Sequence, residues 1–392
     1  LNRLKGLTCV ECGHKHEISI IYKCERCKGS LDVEYYYNEI FDEKELFALD
    51  TFREGIWKYS SLMPVNEDMN PVTLGEGNTP FFRSSKLIQK LGINNIYLKN
   101  ESVNPTLSFK DRPLSVALTL AKQYEVEKVI TASTGNTGVA AAAYAARAGI
   151  PCEIYIPAST PQEKQMMMEV YGAKIKTIEG TFSDAYKVAG ETAIANDWLN
   201  LTSTFLNPFA IEGDKTLAYE IYEQYGGVPD WIIIPVGAGP LLVSCYKGFK
   251  ELQLAGKIDS LPRMVGVQAE ACAPIVEAFK KGTKVEPWTK SGKSVAGGIA
   301  DPLTTYSQDG TRTLRTIIES NGQAIAVNDD SIIKHQRLLA EEEGVFVEPS
   351  SATALSALEK MKENELVQKD QSVVCVITGH GLKDLDVIKK EN

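Results

Sequence analysis

Apolar residues along this chain fall into short, nearly continuous runs bounded by turn residues, with stretches of helical period between them. The runs are VITAS (129–133), CEIYIP (152–157), KIKTIEG (174–180), WIIIPVG (231–237), RMVGVQAE (263–270), QAIAVND (323–329) and VVCVITG (373–379), with IYLK (96–99) a weaker one. A run that stays apolar at consecutive positions predicts a strand buried on both faces, because a strand with one wet face alternates. The segments that follow the first three runs, VAAAAYAARAG, PQEKQMMMEVYGA and SDAYKVAGETAIAND, predict helices. Regular strand–helix alternation predicts parallel sheets covered on both faces, an α/β architecture. The methionines at 166–168 and the alanine run read as helix packing. Before this region the pattern is different: LDVEYYY (31–37) reads as a strand, and residues 38–70 are helix-prone and mixed. No repeat at a period of about 20–50 residues is evident.

Composition narrows the class. A chain of 392 residues exceeds one ordinary core and predicts two or three domains. It is 43% hydrophobic and 24% charged, as expected of a soluble globular protein. No stretch approaches about 18 consecutive apolar residues, which argues against a membrane span. A net charge of −9 and a pI near 5.3 leave no broad basic surface for nucleic acid. They do not exclude an anionic small molecule, since a few local donors hold one phosphate. The opening LNRLKGLTCVECG lacks the apolar run and cleavage site of a secretory signal, so the cytoplasm is the expected compartment.

Four of the eight cysteines, Cys9, Cys12, Cys24 and Cys27, form CxxC, eleven residues, then CxxC. Two such knuckles can present four thiolates tetrahedrally, as zinc prefers in a closed structural site; two disulfides or a redox pair are the alternatives. His14 and His16 lie beside the first knuckle, but four thiolates already fill the shell. The other cysteines, Cys152, Cys245, Cys272 and Cys375, sit among apolar neighbours and read as buried thiols.

Open parallel sheets bind ligands at the carboxyl ends of their strands, where turns aim backbone N–H groups at the ligand. Three stretches have that layout: STGNTG (133–138) after VITA, PVGAGP (235–240) after WIII, and VITGHGLKD (376–384) at the last strand. None follows a dinucleotide fingerprint or a Walker loop. Together with a lysine set in the ordered loop NPTLSFKDRP (104–113), they fit pyridoxal phosphate, which needs a lysine, a phosphate cradle and a partner for its ring nitrogen. On that reading Lys110 is the catalytic lysine that holds the cofactor and later moves protons. Val236, Gly237, Ala238, Gly239, Pro240 and Leu241 form the cradle, Asn136 meets the ring oxygen and Thr378 the ring nitrogen. A hydroxyl at the ring nitrogen does not force the ring to be cationic, which favours eliminations and replacements over transamination. Ser108, Ser133, Thr134 and Thr137 are the candidate substrate-binding residues, while Asp111 and Arg112 pair with each other or anchor the turn.

The motifs N-P-T-x-S-F-K-D-R, S-T-G-N-T-G, the Gly-rich cradle with its Tyr-Lys-Gly-Phe helix, G-V-F-V-E-P-S-S-A and T-G-H-G-L-K-D span nearly the whole chain. In this the chain resembles the threonine synthase family of fold-type-II pyridoxal phosphate enzymes. The resemblance implies two parallel-sheet α/β domains of the tryptophan synthase beta-like kind, plus a small N-terminal zinc ribbon. The implied division is a zinc ribbon over 1–37, a large cofactor-binding domain over 38–102 and 201–392, and a small mobile domain over 103–200. It further implies pyridoxal 5'-phosphate and a structural zinc, an amino-acid substrate, a homodimer, and no nucleic-acid or membrane partner. The implied reaction converts O-phospho-L-homoserine and water to L-threonine and phosphate. One departure matters: the family's N-P-Y-R-L-E-G stretch reads N-P-F-A-I-E-G here, so Ala210 stands where an arginine helps to hold the substrate's phosphate. The familiar R-I-G-N-P segment is likewise replaced, by SVAGGIADPLTTYSQDG. That departure keeps open a related β-elimination or replacement enzyme, for example a serine/threonine ammonia-lyase, and a non-catalytic scaffold is the remaining alternative. Lys164, Lys215 and Arg312 are candidate replacements for the missing guanidinium.

Overall fold

In the computed structural model, residues 3–37, 54–66, 69–202, 204–290 and 292–385 are described. The strands expected from the apolar runs form as β5 (Asn95–Asn100), β6 (Val129–Ala132), β7 (Cys152–Pro157), β8 (Lys174–Ile178), β10 (Trp231–Pro235), β11 (Arg263–Ala269), β12 (Gln323–Val327) and β13 (Ser372–Ile377). The strand expected over 31–37 forms as β3 (Leu31–Tyr35), and β1 (Leu4–Cys9), β2 (Lys15–His16), β4 (Phe81–Arg83) and β9 (Leu199–Asn200) complete the sheets. Of the mixed region 38–70, residues 38–53, 67 and 68 lie outside the described residues, and a 3-10 stretch covers Gly55–Leu62.

The chain divides into two compact units, one of Leu1–Asn78 with Lys110–Thr216, the other of Thr79–Phe109 with Leu217–Asn392. The second contains the six-stranded sheet, in the order β12-β11-β10-β13-β5-β4. Its strands run parallel except β4, which pairs antiparallel with β5 at the edge. The central strands β10 and β13 are buried along their whole length, which is why their sequence does not alternate. The core of this unit joins these strands to Leu355, Leu358 and Met361 of the helix Pro349–Glu363. One helix the apolar pattern did not reveal, Ser85–Leu91, begins where the Ser84 side chain accepts from the Leu87 N–H and ends at Gly92 in the left-handed region.

The first unit contains the parallel four-stranded sheet β8-β7-β6-β9. The alanine-rich helix Asn136–Ala148 packs on it: Ala140, Ala141 and Ala142 are buried against Leu114, Leu118 and Ile154. Small side chains there let helix and sheet approach closely. On the other face the helix Phe182–Asn196 buries Ala185, Ala189 and Ala193 against Ile130 and Tyr155. The same unit carries the antiparallel sheet β2-β1-β3, which frames the four clustered cysteines. Among the described residues no helix is long and apolar enough to cross a membrane.

Candidate active site

In the six-stranded unit, the chain leaves β10 at Pro235 and turns through Val236, Gly237, Ala238 and Gly239 into the helix Pro240–Leu254. Gly239 has φ +96°, and a Cβ there would lie 2.4 Å from the Thr313 side chain, so the position tolerates only glycine. Thr313 Oγ1 donates to the Ala238 carbonyl at 2.5 Å, and Gln268 Nε2 to the Gly237 carbonyl at 3.4 Å. The turn's carbonyls are thereby engaged, and the first N–H groups of a helix have no partner within it. Pro240 supplies no N–H, the Val236 N–H is spent on Val267 at 2.9 Å, and the Leu241 side chain is buried in the core. The donors left for an anion are backbone groups of Gly237, Ala238, Gly239 and the first helical turn, a nest that fits a phosphate.

At the neighbouring end of β13, Thr378 is buried, with Oγ1 at 2.9 Å from Ser351 Oγ. Ser351 in turn accepts from the Gly379 N–H at 2.7 Å. The loop that precedes Lys110 is stitched to this tip. Phe109 N–H donates to the Thr378 carbonyl at 3.0 Å, His380 N–H donates to the Leu107 carbonyl at 3.1 Å, and Ser108 bridges Gly379. Leu107 holds φ +63°, an unfavourable region for a leucine. Ser108 is fully buried, yet its Oγ has no hydrogen-bond partner among the described residues. An unsatisfied buried hydroxyl costs about 1–3 kcal/mol, so this one fits a polar group of a bound ligand.

Lys110 follows Phe109 in the chain and caps the helix Asp111–Gln123, its carbonyl accepting from Leu114 N–H at 3.2 Å. Asp111 and Arg112 are fully buried, and Arg112 Nη1 donates to Thr216 Oγ1 at 2.8 Å, so the Asp-Arg pair anchors the helix start. One turn further on, Ser115 Oγ accepts from Trp57 Nε1 at 2.9 Å. Trp57 also donates to Glu76, whose fully buried carboxylate accepts from Tyr144, Thr73 and the Leu74 N–H as well. A buried carboxylate is sustained only by such donors. Burial, together with the charges of Asp111 and Glu76, pushes the Tyr144 phenol up, so it remains a donor. Sequence reasoning missed Glu76 and Trp57; the only signal was an acid between two glycines in TLGEGNTP.

In the STGNTG turn, Ser133 Oγ accepts from the N–H groups of Gly135 and Gly138 at 3.2 and 3.0 Å, so its main engagement is to shape the turn. Thr137 is buried, while Thr134 and Asn136 are half-buried at the start of the helix Asn136–Ala148. Met168 packs against Gly138, which accounts for one of the three methionines. Among the candidate basic residues, Lys215 is fully buried with its Nζ 2.6 Å from Glu212, Arg312 is buried in the helix Ser307–Glu319, and Lys164 is half-buried. Ala210 lies in the apolar cluster of its unit and opens a 3-10 turn over Ala210–Glu212.

The Sγ atoms of Cys9, Cys12, Cys24 and Cys27 all lie within 4.8 Å of one another, with Cys9–Cys27 at 3.4 Å and Cys12–Cys24 at 3.7 Å. Zinc–sulfur bonds of about 2.3 Å span a tetrahedron with edges of about 3.8 Å, so the donor set fits that ion. All eight cysteines are free thiols. His16 Nε2 sits 3.4 Å from Cys24 Sγ as a neighbour of the cluster.

Residues 72–379 match the family model described as "Pyridoxal-phosphate dependent enzyme". The chain is 41% identical over 384 residues to the threonine synthase of Methanocaldococcus jannaschii, covering 96% of this chain and 93% of that one. It is 39% identical over 383 residues to the threonine synthase of Methanosarcina acetivorans, covering 96% and 92%. The fold is that of maize serine racemase, with a TM-score of 0.69 at 22% identity, covering 80% of this chain and 90% of that one. A lysine-bearing helix start, a glycine cradle and a threonine at the strand tip thus occur in a chain whose relatives match it nearly end to end, and the chain belongs to the threonine synthase family of pyridoxal-phosphate dependent enzymes.

Proposed function

We propose that the chain converts O-phospho-L-homoserine and water to L-threonine and inorganic phosphate. The observation that carries this reading is the 41% identity to a threonine synthase over 96% of the chain. The ammonia-lyase and scaffold alternatives are not favoured: the full-length relatives are threonine synthases, and the lysine motif is intact.

When bound, pyridoxal phosphate supplies an electron sink for charge developing at the substrate's Cα. Lys110 would hold it covalently, and backbone groups of Gly237, Ala238 and Gly239 would hold its phosphate. Asn136 would meet the ring oxygen. Thr378 would serve the ring nitrogen, its hydroxyl held in place by Ser351 Oγ at 2.9 Å. Lys110 would then take a proton from Cα and next one from Cβ of the substrate, and the γ-phosphate would leave with the Cγ–O electron pair. One proton would return to Cγ, the hydroxide of a water molecule would add at Cβ, and the second proton would return to Cα, which gives threonine and inorganic phosphate. Ser108, Ser133, Thr134 and Thr137 supply hydroxyls for the substrate's anionic groups. Lys215 is committed to Glu212, so it is not the replacement for the family's arginine. We assign zinc to Cys9, Cys12, Cys24 and Cys27 as a structural ion, because four thiolates leave no open position for chemistry.

The test is turnover with O-phosphohomoserine, serine and threonine, following phosphate and 2-oxo acid separately. Phosphate released in step with threonine is the expected result. Release of 2-oxo acid and ammonia from serine or threonine, with phosphohomoserine ignored, would overturn the reading.

A further inference from the structure

The cysteine ribbon is tied to one stretch of its own unit by two tyrosines, at both ends of that stretch. Tyr22 lies two residues before Cys24, and its hydroxyl accepts from the Asn200 N–H at 2.8 Å and reaches the Trp198 carbonyl at 3.4 Å. Tyr35 ends β3, the strand whose first residue, Leu31, pairs with Cys9. Its hydroxyl donates to Glu212 at 2.8 Å, and its ring lies 4.2 Å from Lys215 Nζ. Lys215 and Glu212 form a fully buried ion pair, a geometry that is costly to disturb because either charge would be stranded without its partner.

Between these ties the stretch touches both elements that bear candidate site groups in this unit. At its start, Thr202 Oγ1 accepts from the N–H of Ala132, the residue before Ser133, at 3.1 Å, and Leu201 N–H donates to Ile130 at 2.8 Å. At its end, a Cβ on Gly213 would lie 2.3 Å from the Arg112 carbonyl, so the backbones there are in direct contact. Thr216 receives the Arg112 guanidinium at 2.8 Å and donates to the Gly213 carbonyl at 2.7 Å. In the middle, Asn207 Oδ1 accepts from Phe209 and Ala210 N–H, each at 3.1 Å, and so shapes the turn in which Ala210 replaces the arginine. Through these contacts a shift at either end of the stretch would bear on the turn at Ser133 or on the start of the helix that Lys110 caps.

We propose that Tyr22 and Tyr35 are positioning residues for the reaction: through them the ribbon sets the stretch from Asn200 to Thr216 against the Ser133 turn and the start of the Lys110 helix. The ribbon is then a part of the substrate-binding apparatus, although it supplies no group that touches substrate. This rests on the phosphohomoserine reading for its kinetic readout alone.

The experiment uses the full-length, cofactor-loaded enzyme with Tyr35→Phe and, separately, Tyr22→Phe, each of which removes one hydroxyl and leaves the ring in place. The expected result is a KM for O-phosphohomoserine raised roughly three- to tenfold, the factor of one buried hydrogen bond, with kcat per bound cofactor and the cofactor's absorption unchanged. Hydrogen exchange should also quicken at the Phe209 and Ala210 amides. A merely structural role would lower the melting temperature or the active fraction at constant KM, and that outcome overturns the proposal. If the wild-type enzyme ignores phosphohomoserine, the functional reading fails separately. Exchange then decides: unchanged exchange at these amides in both variants sinks the positioning role, and faster exchange there upholds it.

Discussion

A methyl group at position 239 would sit 2.4 Å from the Thr313 side chain, on a residue whose φ is +96°. The Gly239→Ala variant therefore has to move the turn or the helix Ser307–Glu319, and either change disturbs the N–H groups of the cradle. We expect a loss of stability on the order of 1–3 kcal/mol from strain and overpacking, with weaker cofactor retention, both read by thermal unfolding and cofactor titration. At Lys110 the expectation is categorical: Lys110→Ala should lose the covalent cofactor, its yellow absorption and all turnover, which absorbance and borohydride trapping would check. The lysine and the glycine were both legible in the sequence. Ser351 was not, because its contact to Thr378, 27 residues away, arises only when the helix Pro349–Glu363 packs against the end of β13.

Two adjacent helices, Asp329–Glu343 and Pro349–Glu363, enclose His335, which is fully buried. Its Nδ1 lies 2.7 Å from the Ser331 carbonyl and 3.1 Å from Ser356 Oγ, and its Nε2 lies 3.4 Å from Glu359. Burial depresses its pKa below the ordinary 6.5 and outweighs the opposing pull of the Ser331 carbonyl and Glu359. A depressed folded pKa means the unfolded chain binds the proton more readily, so this contribution to stability is complete above pH about 6.5 and is lost as pH falls through the folded value. Melting temperature should accordingly fall more steeply from pH 7 to 5 in the wild type than in His335→Gln, and equal slopes would show that another group dominates. At this scale the central strands β10 and β13 were read correctly because burial on both faces leaves a continuous apolar signature, whereas the edge strand β8, partly exposed, carries the alternating KIKTI. The edge strand Phe81–Arg83 and the helix Ser85–Leu91 were not, since short, half-exposed elements leave too few positions to establish a period.

In the whole molecule, the cysteine cluster belongs to one compact unit and the glycine turn after β10 to the other. Stripping the metal with a chelator, or changing Cys24 and Cys27 to serine, should lower the melting temperature and leave the cofactor's absorption intact in the protein that stays folded. Immediate loss of that absorption on chelation would contradict a structural ion. By itself the sequence determined the α/β class, the order of the buried strands, the cysteine cluster, the glycine turns and Lys110, because each is written in consecutive residues or short spacings. The tertiary structure alone decided how these are supported. Tyr35 meets Glu212 across 177 positions, and Trp57 meets Ser115 across 58. Lys215, a basic residue that looked available to an anion, is neutralised in the core by Glu212. A pattern along the chain reports which residues avoid water, but the partner of a buried polar group is chosen by packing between distant segments.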